Sequence, residues 1–244
     1  MSKWYEIKAQ AEDGPAQVYL FGEVGESVFG ESKSALAFID ELKGLGDRDV
    51  DLHINSLGGD VFDGQAIFTA LRHHKGAVTT YIDGVAASIA ALVALAGDHV
   101  VMAANGAFMV HKAWGTQRGN EDDMLGMAEI LEKVDRVQAA LYTAKTGTSE
   151  SDMHDAMRAE TWYFGQEAVD AGFVDELGDE LDLAACVRGF DLSAHGFQHV
   201  PDRLRAAAEA PPDPPEEEAG DTPVTVDSQL VDLLAKRRHD PPKE

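Results

Sequence analysis

An α/β fold with parallel strands and crossover helices is predicted by three features of the chain. Val50, Leu52 and Ile54 alternate with Asp51, His53 and Asn55, the period of two that marks a half-buried strand. Gly58-Gly59 breaks that strand, and an amphipathic stretch follows with Val61, Ala66, Ile67 and Leu71 apolar. The same strand-then-helix pair recurs along the chain, as parallel sheets with helical crossovers require.

The elements follow in order. Gln17 to Gly22 reads as a first strand, and Ser32 to Leu42 as a helix with Leu36, Phe38, Ile39 and Leu42 apolar. The strand Val50 to Asn55 leads into a helix from about Phe62 to His74. Val78 to Ile82 is a further strand, followed by a short apolar helix opening at Ser88. Strands near His99 to Met102 and Ala107 to His111 come next. Glu121 to Lys145 is a long helix, with Met124, Met127, Ile130, Leu131, Val134, Val137 and Leu141 at helical spacing. Asp152 to Arg158 forms a short one. The resulting division is a short polar arm over 1–16, the α/β domain over 17–183, and a largely disordered, acidic, proline-rich tail over 184–244. Within that tail Pro211-Pro212-Asp213-Pro214-Pro215-Glu216-Glu217-Glu218 has no periodicity. The patch Val231 to Ala235, before Lys236-Arg237-Arg238, reads as a frayed end.

Composition excludes several classes. A net charge of −24 over 244 residues opposes binding to a nucleic-acid backbone, which needs a basic face. The single cysteine, Cys186, allows no internal disulfide and fits a reducing compartment. The longest apolar run, Ile89 to Ala96, is far short of the roughly twenty residues that span a bilayer. Met1 to Glu6 lacks the apolar core of a secretory signal. The expectation is a soluble, cytoplasmic protein.

Candidate chemistry centres on Ser88. It lies in Asp83-Gly84-Val85-Ala86-Ala87-Ser88-Ile89-Ala90-Ala91, a hydroxyl among tiny side chains at the mouth of a buried helix. Small neighbours leave room for a substrate backbone, and a helix start offers free N–H groups. By itself the segment reads as a serine N-cap. Upstream, the Gly58-Gly59 pair permits positive φ and close approach of another chain. Its N–H groups are also placed to face a developing oxyanion.

Together these segments resemble the proteolytic subunit of the Clp protease family. The resemblance runs over about residues 16–180 in four ordered blocks: Ile54 to Leu71, Gly84 to Gly97, Asn105 to His111, and Glu160 to Asp175. It implies the Clp protease/crotonase-like spiral of βαβ units, with the long helix as a protruding handle that pairs two rings. It implies a serine endopeptidase with Ser88 as nucleophile, His111 as general base, and Glu160 as the acid that orients the imidazole. The family's usual acid is aspartate. Glutamate serves in some hydrolase triads, and Asp155 is the fallback. The oxyanion donors implied are the N–H groups of Gly59 and Ile89. The family's common proline and methionine are replaced by Leu57 and Ile89, and neither change removes a main-chain donor.

The resemblance implies no metal or organic cofactor and a homo-oligomeric ring acting on protein or peptide substrates. The short polar N-terminus and acidic tail look most like the Clp-related head maturation proteases of phages and prophages. Those cut capsid or scaffold proteins, and for a phage-encoded chain the location would be the host cytoplasm. The alternative is a subunit of an ATP-dependent Clp-type protease working with an unfoldase ATPase. The chain has no phosphate-binding Gly-x-x-x-x-Gly-Lys motif of its own. Three other readings are weighed. A crotonase-like acyl-CoA enzyme needs no Ser–His pair, a signal-peptide peptidase relative uses serine–lysine chemistry and a membrane anchor, and a structural ring component would be inactive. His73-His74 read as a solvated helix face, His195 and His199 as surface residues, and His53 as a side chain on the opposite sheet face.

Overall fold

The computed structural model describes residues 4–8, 14–25, 34–188, 190–192 and 195–211. From the amino end, β1 (Tyr5–Lys8) runs antiparallel to β2 (Ala16–Val24), and α1 (Ala35–Gly44) crosses over to β3 (Val50–Gly59). Next come α2 (Val61–Arg72), β4 (Val78–Ala87), α3 (Ile89–Ala94), β5 (His99–Ala103) and β6 (Ala107–Val110). The long α4 (Glu121–Thr146) leads to α5 (Glu150–Arg158), β7 (Thr161–Phe164), α6 (Gln166–Asp170) and β8 (Glu176–Gly178). Two short helices, α7 (Leu183–Val187) and α8 (Asp202–Ala208), follow.

The strands form one sheet in the order β1-β2-β3-β4-β5-β8, with β6 branching from β4 and carrying β7. Pairing is parallel except for β1 on β2 and β7 on β6. The expected period of two is realised in β3, where Val50, Leu52 and Ile54 are buried. Local chemistry places the helix ends. The Ser34 hydroxyl caps α1, and the Asp60 carboxylate accepts from the N–H groups of Phe62 and Asp63 at the start of α2. Asn120 and Asp123 form a reciprocal capping box on α4, and Gly147 ends that helix in the left-handed region.

The branch at β4 positions the site. Its first half, Thr79 to Ile82, pairs with β5, and its second half, Val85 to Ala87, pairs with β6. Gly84 lies at the change of partner, where an added Cβ would come within 2.7 Å of Asn55 Oδ1 and of Cys186 Cβ. Buried Asn55 fills the irregularity. Its Oδ1 accepts from Val85 N–H at 3.1 Å, and its Nδ2 donates to the Cys186 carbonyl at 2.6 Å. A polar side chain thereby satisfies main-chain groups that the ladder leaves open.

Two boundaries differ from the sequence reading. The arm expected to be polar contains β1, and its Trp4 and Tyr5 are buried against Phe38 of α1. Structure also continues past Leu183. Val187 of α7 and Leu204 of α8 join Leu57, Val85, Ala87, Ala107 and Met109 in a second core, with Phe197 and Val200 packed on it. That layer covers apolar faces of β4 and β6 that water would otherwise reach. The apolar residues of 184–210, among them Val187, Phe190, Leu192, Phe197, Val200 and Leu204, together follow neither a single helical nor a strand period, so their packing leaves no periodic signal. The proline-rich acidic stretch from Pro212 and the patch Val231 to Ala235 lie outside the described residues. No helix among the described residues is long and apolar enough to cross a membrane.

Two glycines test this packing in opposite directions. A Cβ at Gly64 of α2 would lie 2.1 Å from Cγ1 of buried Ile89, whereas one at Gly126 of α4 would meet nothing within 4 Å. Gly64→Ala is expected to destabilise by about 1–3 kcal/mol through overpacking. Gly126→Ala is expected to stabilise by roughly 0.5–1 kcal/mol through helix propensity. Both are read as shifts of the urea midpoint at unchanged slope.

Candidate active site

Ser88 occupies the corner between β4 and α3. Its backbone is left-handed, with φ 58° and ψ −131°, and its N–H donates to the Met109 carbonyl of β6 at 3.1 Å. The hydroxyl makes no capping bond to α3. Instead Ser88 Oγ lies 2.7 Å from His111 Nε2. The simple N-cap reading of the segment therefore fails. The parallel register Val85↔Ala107, Ala86↔Phe108, Ala87↔Met109 brings the residues following β4 and β6 side by side. A serine just past one strand thus meets a histidine just past the other.

The end of β3 closes in from a third side. A Cβ at Gly58 would lie 2.6 Å from Ser88 Cβ and 3.0 Å from its Oγ, so only glycine fits. Gly58 N–H donates to Ser56 Oγ, which itself donates to the Gly22 carbonyl. Gly59, where a Cβ would come within 2.2 Å of the Val24 carbonyl oxygen, lines the cavity beside Ser88. Ile89 is the first residue of α3, where N–H groups have no partner within their own helix.

Glu160 is buried and also left-handed, with φ 53°. Ser88 and Glu160 are the two non-glycine residues with positive φ among the described residues. The Glu160 carboxylate accepts from the backbone N–H groups of Gln198, at 2.7 Å to Oε2, and His199, at 2.8 Å to Oε1. No hydrogen bond joins it to His111, although its charge acts on the imidazole. Asp155, the fallback, is exposed and paired with Arg158 on α5. Sequence reasoning missed Asp135. Its buried carboxylate takes Ala113 N–H at 2.7 Å and Lys112 Nζ at 3.1 Å, and its charge also reaches His111.

Burial pushes the His111 pKa below the ordinary imidazole value, and the nearby His195 works in the same direction. The carboxylates of Glu160 and Asp135 oppose this without overcoming it. The result is an imidazole neutral near pH 7, able to accept the serine proton.

The cavity at Ser88 has a volume of about 320 Å³. Leu57, Val61, Met127, Leu131, Val134 and Phe197 form its apolar walls, and Glu23, Asp60 and Gln138 add polar ones. A larger groove between α1 and α2, about 770 Å³, contains neither Ser88 nor His111. His195 was expected at the surface, yet it lines the cavity and stacks on Phe197 at 5.6 Å. His199 is exposed, as expected. His73 and His74 make hydrogen bonds to the carbonyls of Thr69 and Arg48. His53, on the outer sheet face, is sandwiched between Tyr19 and Tyr81 and bonds Asp83.

The family model described as Clp protease matches residues 2–180. The chain belongs to the Clp protease family. It is a serine-type peptidase with the Clp fold, in which α4 is the long helix. An ATP-dependent Clp protease proteolytic subunit of Streptococcus agalactiae serotype V is 28% identical over 170 residues, covering 68% of this chain and 86% of that protein. One from Streptococcus pneumoniae is 29% identical over 164 residues, covering 66% and 83%. Both alignments leave a large part of this Clp-family chain unmatched.

The geometry gives two expected outcomes. Ser88→Gly should raise stability by about 1 kcal/mol, because glycine adopts this conformation without the strain of a side chain. A lower thermal midpoint would contradict that. The titration midpoint of the His111 ring, followed by NMR, should fall below ~6.5. Protonation would then break its acceptor role only as the pH drops through that lowered value.

Proposed function

We propose that the chain is a Clp-type serine endopeptidase in which Ser88 is the nucleophile and His111 the general base. The observation that carries this is the 2.7 Å contact between Ser88 Oγ and His111 Nε2 in a small-residue corner at the floor of a cavity. Ser88 Oγ attacks the peptide carbonyl carbon as its proton passes to His111 Nε2. The tetrahedral oxyanion faces the N–H groups of Gly59 and Ile89. Collapse breaks the C–N bond, and His111 returns the proton to the leaving amine. Water then attacks the acyl ester, again with His111 as base, and releases the new carboxylate and free Ser88. Glu160 acts as the third member through its charge, which favours the imidazolium formed during both steps. No metal or organic cofactor enters the scheme.

The subunit is proposed to work as a homo-oligomeric ring. Met124, Leu125 and Ile130 on the exposed half of α4 are the apolar surface that pairing would cover. The relatives, named ATP-dependent Clp protease proteolytic subunits, favour an unfoldase ATPase as partner. The second reading, maturation of a capsid or scaffold protein, draws on the acidic, proline-rich composition of 211–218.

A fluorophosphonate probe should form one adduct on the wild type, at Ser88, and none on Ser88→Ala, as read by intact mass and peptide mapping. An assembled wild-type ring without adduct would remove the proposed nucleophile. Glu160→Gln should slow labelling at least about tenfold and move its acidic limb to lower pH, since the Glu160 charge raises the His111 pKa. Degradation of a folded substrate only with an ATPase and ATP would support the subunit role. ATP-independent cleavage of a capsid or scaffold protein would support the second reading.

A further inference from the structure

Residues 195–199 cross the site although they lie beyond the matched family segment, which ends at residue 180. Gly196 takes a left-handed turn with φ 67°, and the Trp114 indole lies 3.7–3.9 Å from where its Cβ would be. Phe197 presents an edge-to-face contact to the His111 ring at 5.5 Å and to Trp162 at 5.7 Å. The next two residues direct consecutive main-chain N–H groups at Glu160, one to each carboxylate oxygen. Gln198 Nε2 closes the turn on the Gly196 carbonyl at 2.9 Å. His195 and Phe197 also line the cavity that contains Ser88.

We infer that residues 195–199 are a positioning strap for this peptidase site, holding the Glu160 carboxylate by two backbone amides and the His111 ring by Phe197. The inference rests on the Ser88–His111 reading above. Glu160 has a longer side chain than the family's usual aspartate and sits in strained backbone, so its carboxylate needs an anchor of its own. Two charge-assisted N–H bonds provide one. Phe197 shields one side of the imidazole from water and forms a wall of the cavity. The groups facing His111 are Ser88 from the β4–α3 corner, Glu160 before β7, Asp135 on α4 and His195 on the strap itself. The strap therefore acts on orientation and on hydration together.

The test uses fluorophosphonate labelling of the full chain against pH, with folding of each variant checked by circular dichroism. Phe197→Ala admits water to His111, and its acidic limb should move up by roughly half a pH unit or more. Gln198→Pro, which deletes one clamp N–H, should label about tenfold more slowly than Gln198→Ala, which keeps it. Amide hydrogen exchange supplies an independent reading: Glu160→Ala should speed exchange at Gln198 and His199 by about tenfold or more. Phe197→Ala with the wild-type limb, together with equal rates for the two Gln198 variants, would overturn the strap. If the proline variant does not fold, unchanged exchange in Glu160→Ala overturns it instead. A wild type that never labels sinks the underlying Ser88–His111 reading, a result distinct from a labelled wild type whose variants behave alike.

Discussion

Val85, Ala86 and Ala87 of β4 pair in parallel with Ala107, Phe108 and Met109 of β6, and all six are fully buried. This short ladder carries the site, because the residue after β4 is Ser88 and the residue after β6 is His111. The Ser88 N–H extends the same ladder to the Met109 carbonyl. Pairing β4 with β5 along its first half and β6 along its second lets one strand serve both the sheet and the corner that holds Ser88. The small residues at 84, 86 and 87 follow from that crowding, since β3, β6 and α7 all press on the same stretch.

The backbone at this corner is held against its local preference. Left-handed conformations at non-glycine residues cost of order 1–3 kcal/mol each and persist only where the surroundings over-determine them. Ser88 is surrounded by wholly buried neighbours, and Glu160 is fixed at its carboxylate by two amides. In both cases the strain aims a side chain rather than shaping a fold. At Ser88 it turns the hydroxyl from its default use as a helix cap toward the imidazole. Gly58 completes the arrangement by having no side chain to push the hydroxyl aside.

Much of this could be read from residue types and order. The period of two in β3, the glycine pair at its end and the small-residue run before Ser88 are local signals of steric demand. The handle helix, capped by Asn120 and ended by Gly147, followed its apolar spacing to within a residue. Other parts leave weaker traces. In β1, Tyr5 and Ile7 alternate with Glu6 and Lys8, but four residues in a polar setting give too short a pattern. Past 183, Val187, Phe190, Leu192, Phe197, Val200 and Leu204 were a hint of structure, but their spacing matches no single period. Asp135 sits within a charged helix, and nothing in its neighbours distinguishes it from the solvated acids beside it. Its burial depends on where α4 crosses the segment after His111.

The contacts to Glu160 come from main-chain N–H groups, which every residue except proline possesses. Selection acting on such contacts constrains the length and path of the chain, not the identity of side chains 198 and 199. Related proteins could keep the same arrangement while sharing no residue there, and comparison of aligned columns would pass over it. Insertions and deletions between Leu192 and Val200 would be the informative changes, since a single added residue would carry both amides past the carboxylate.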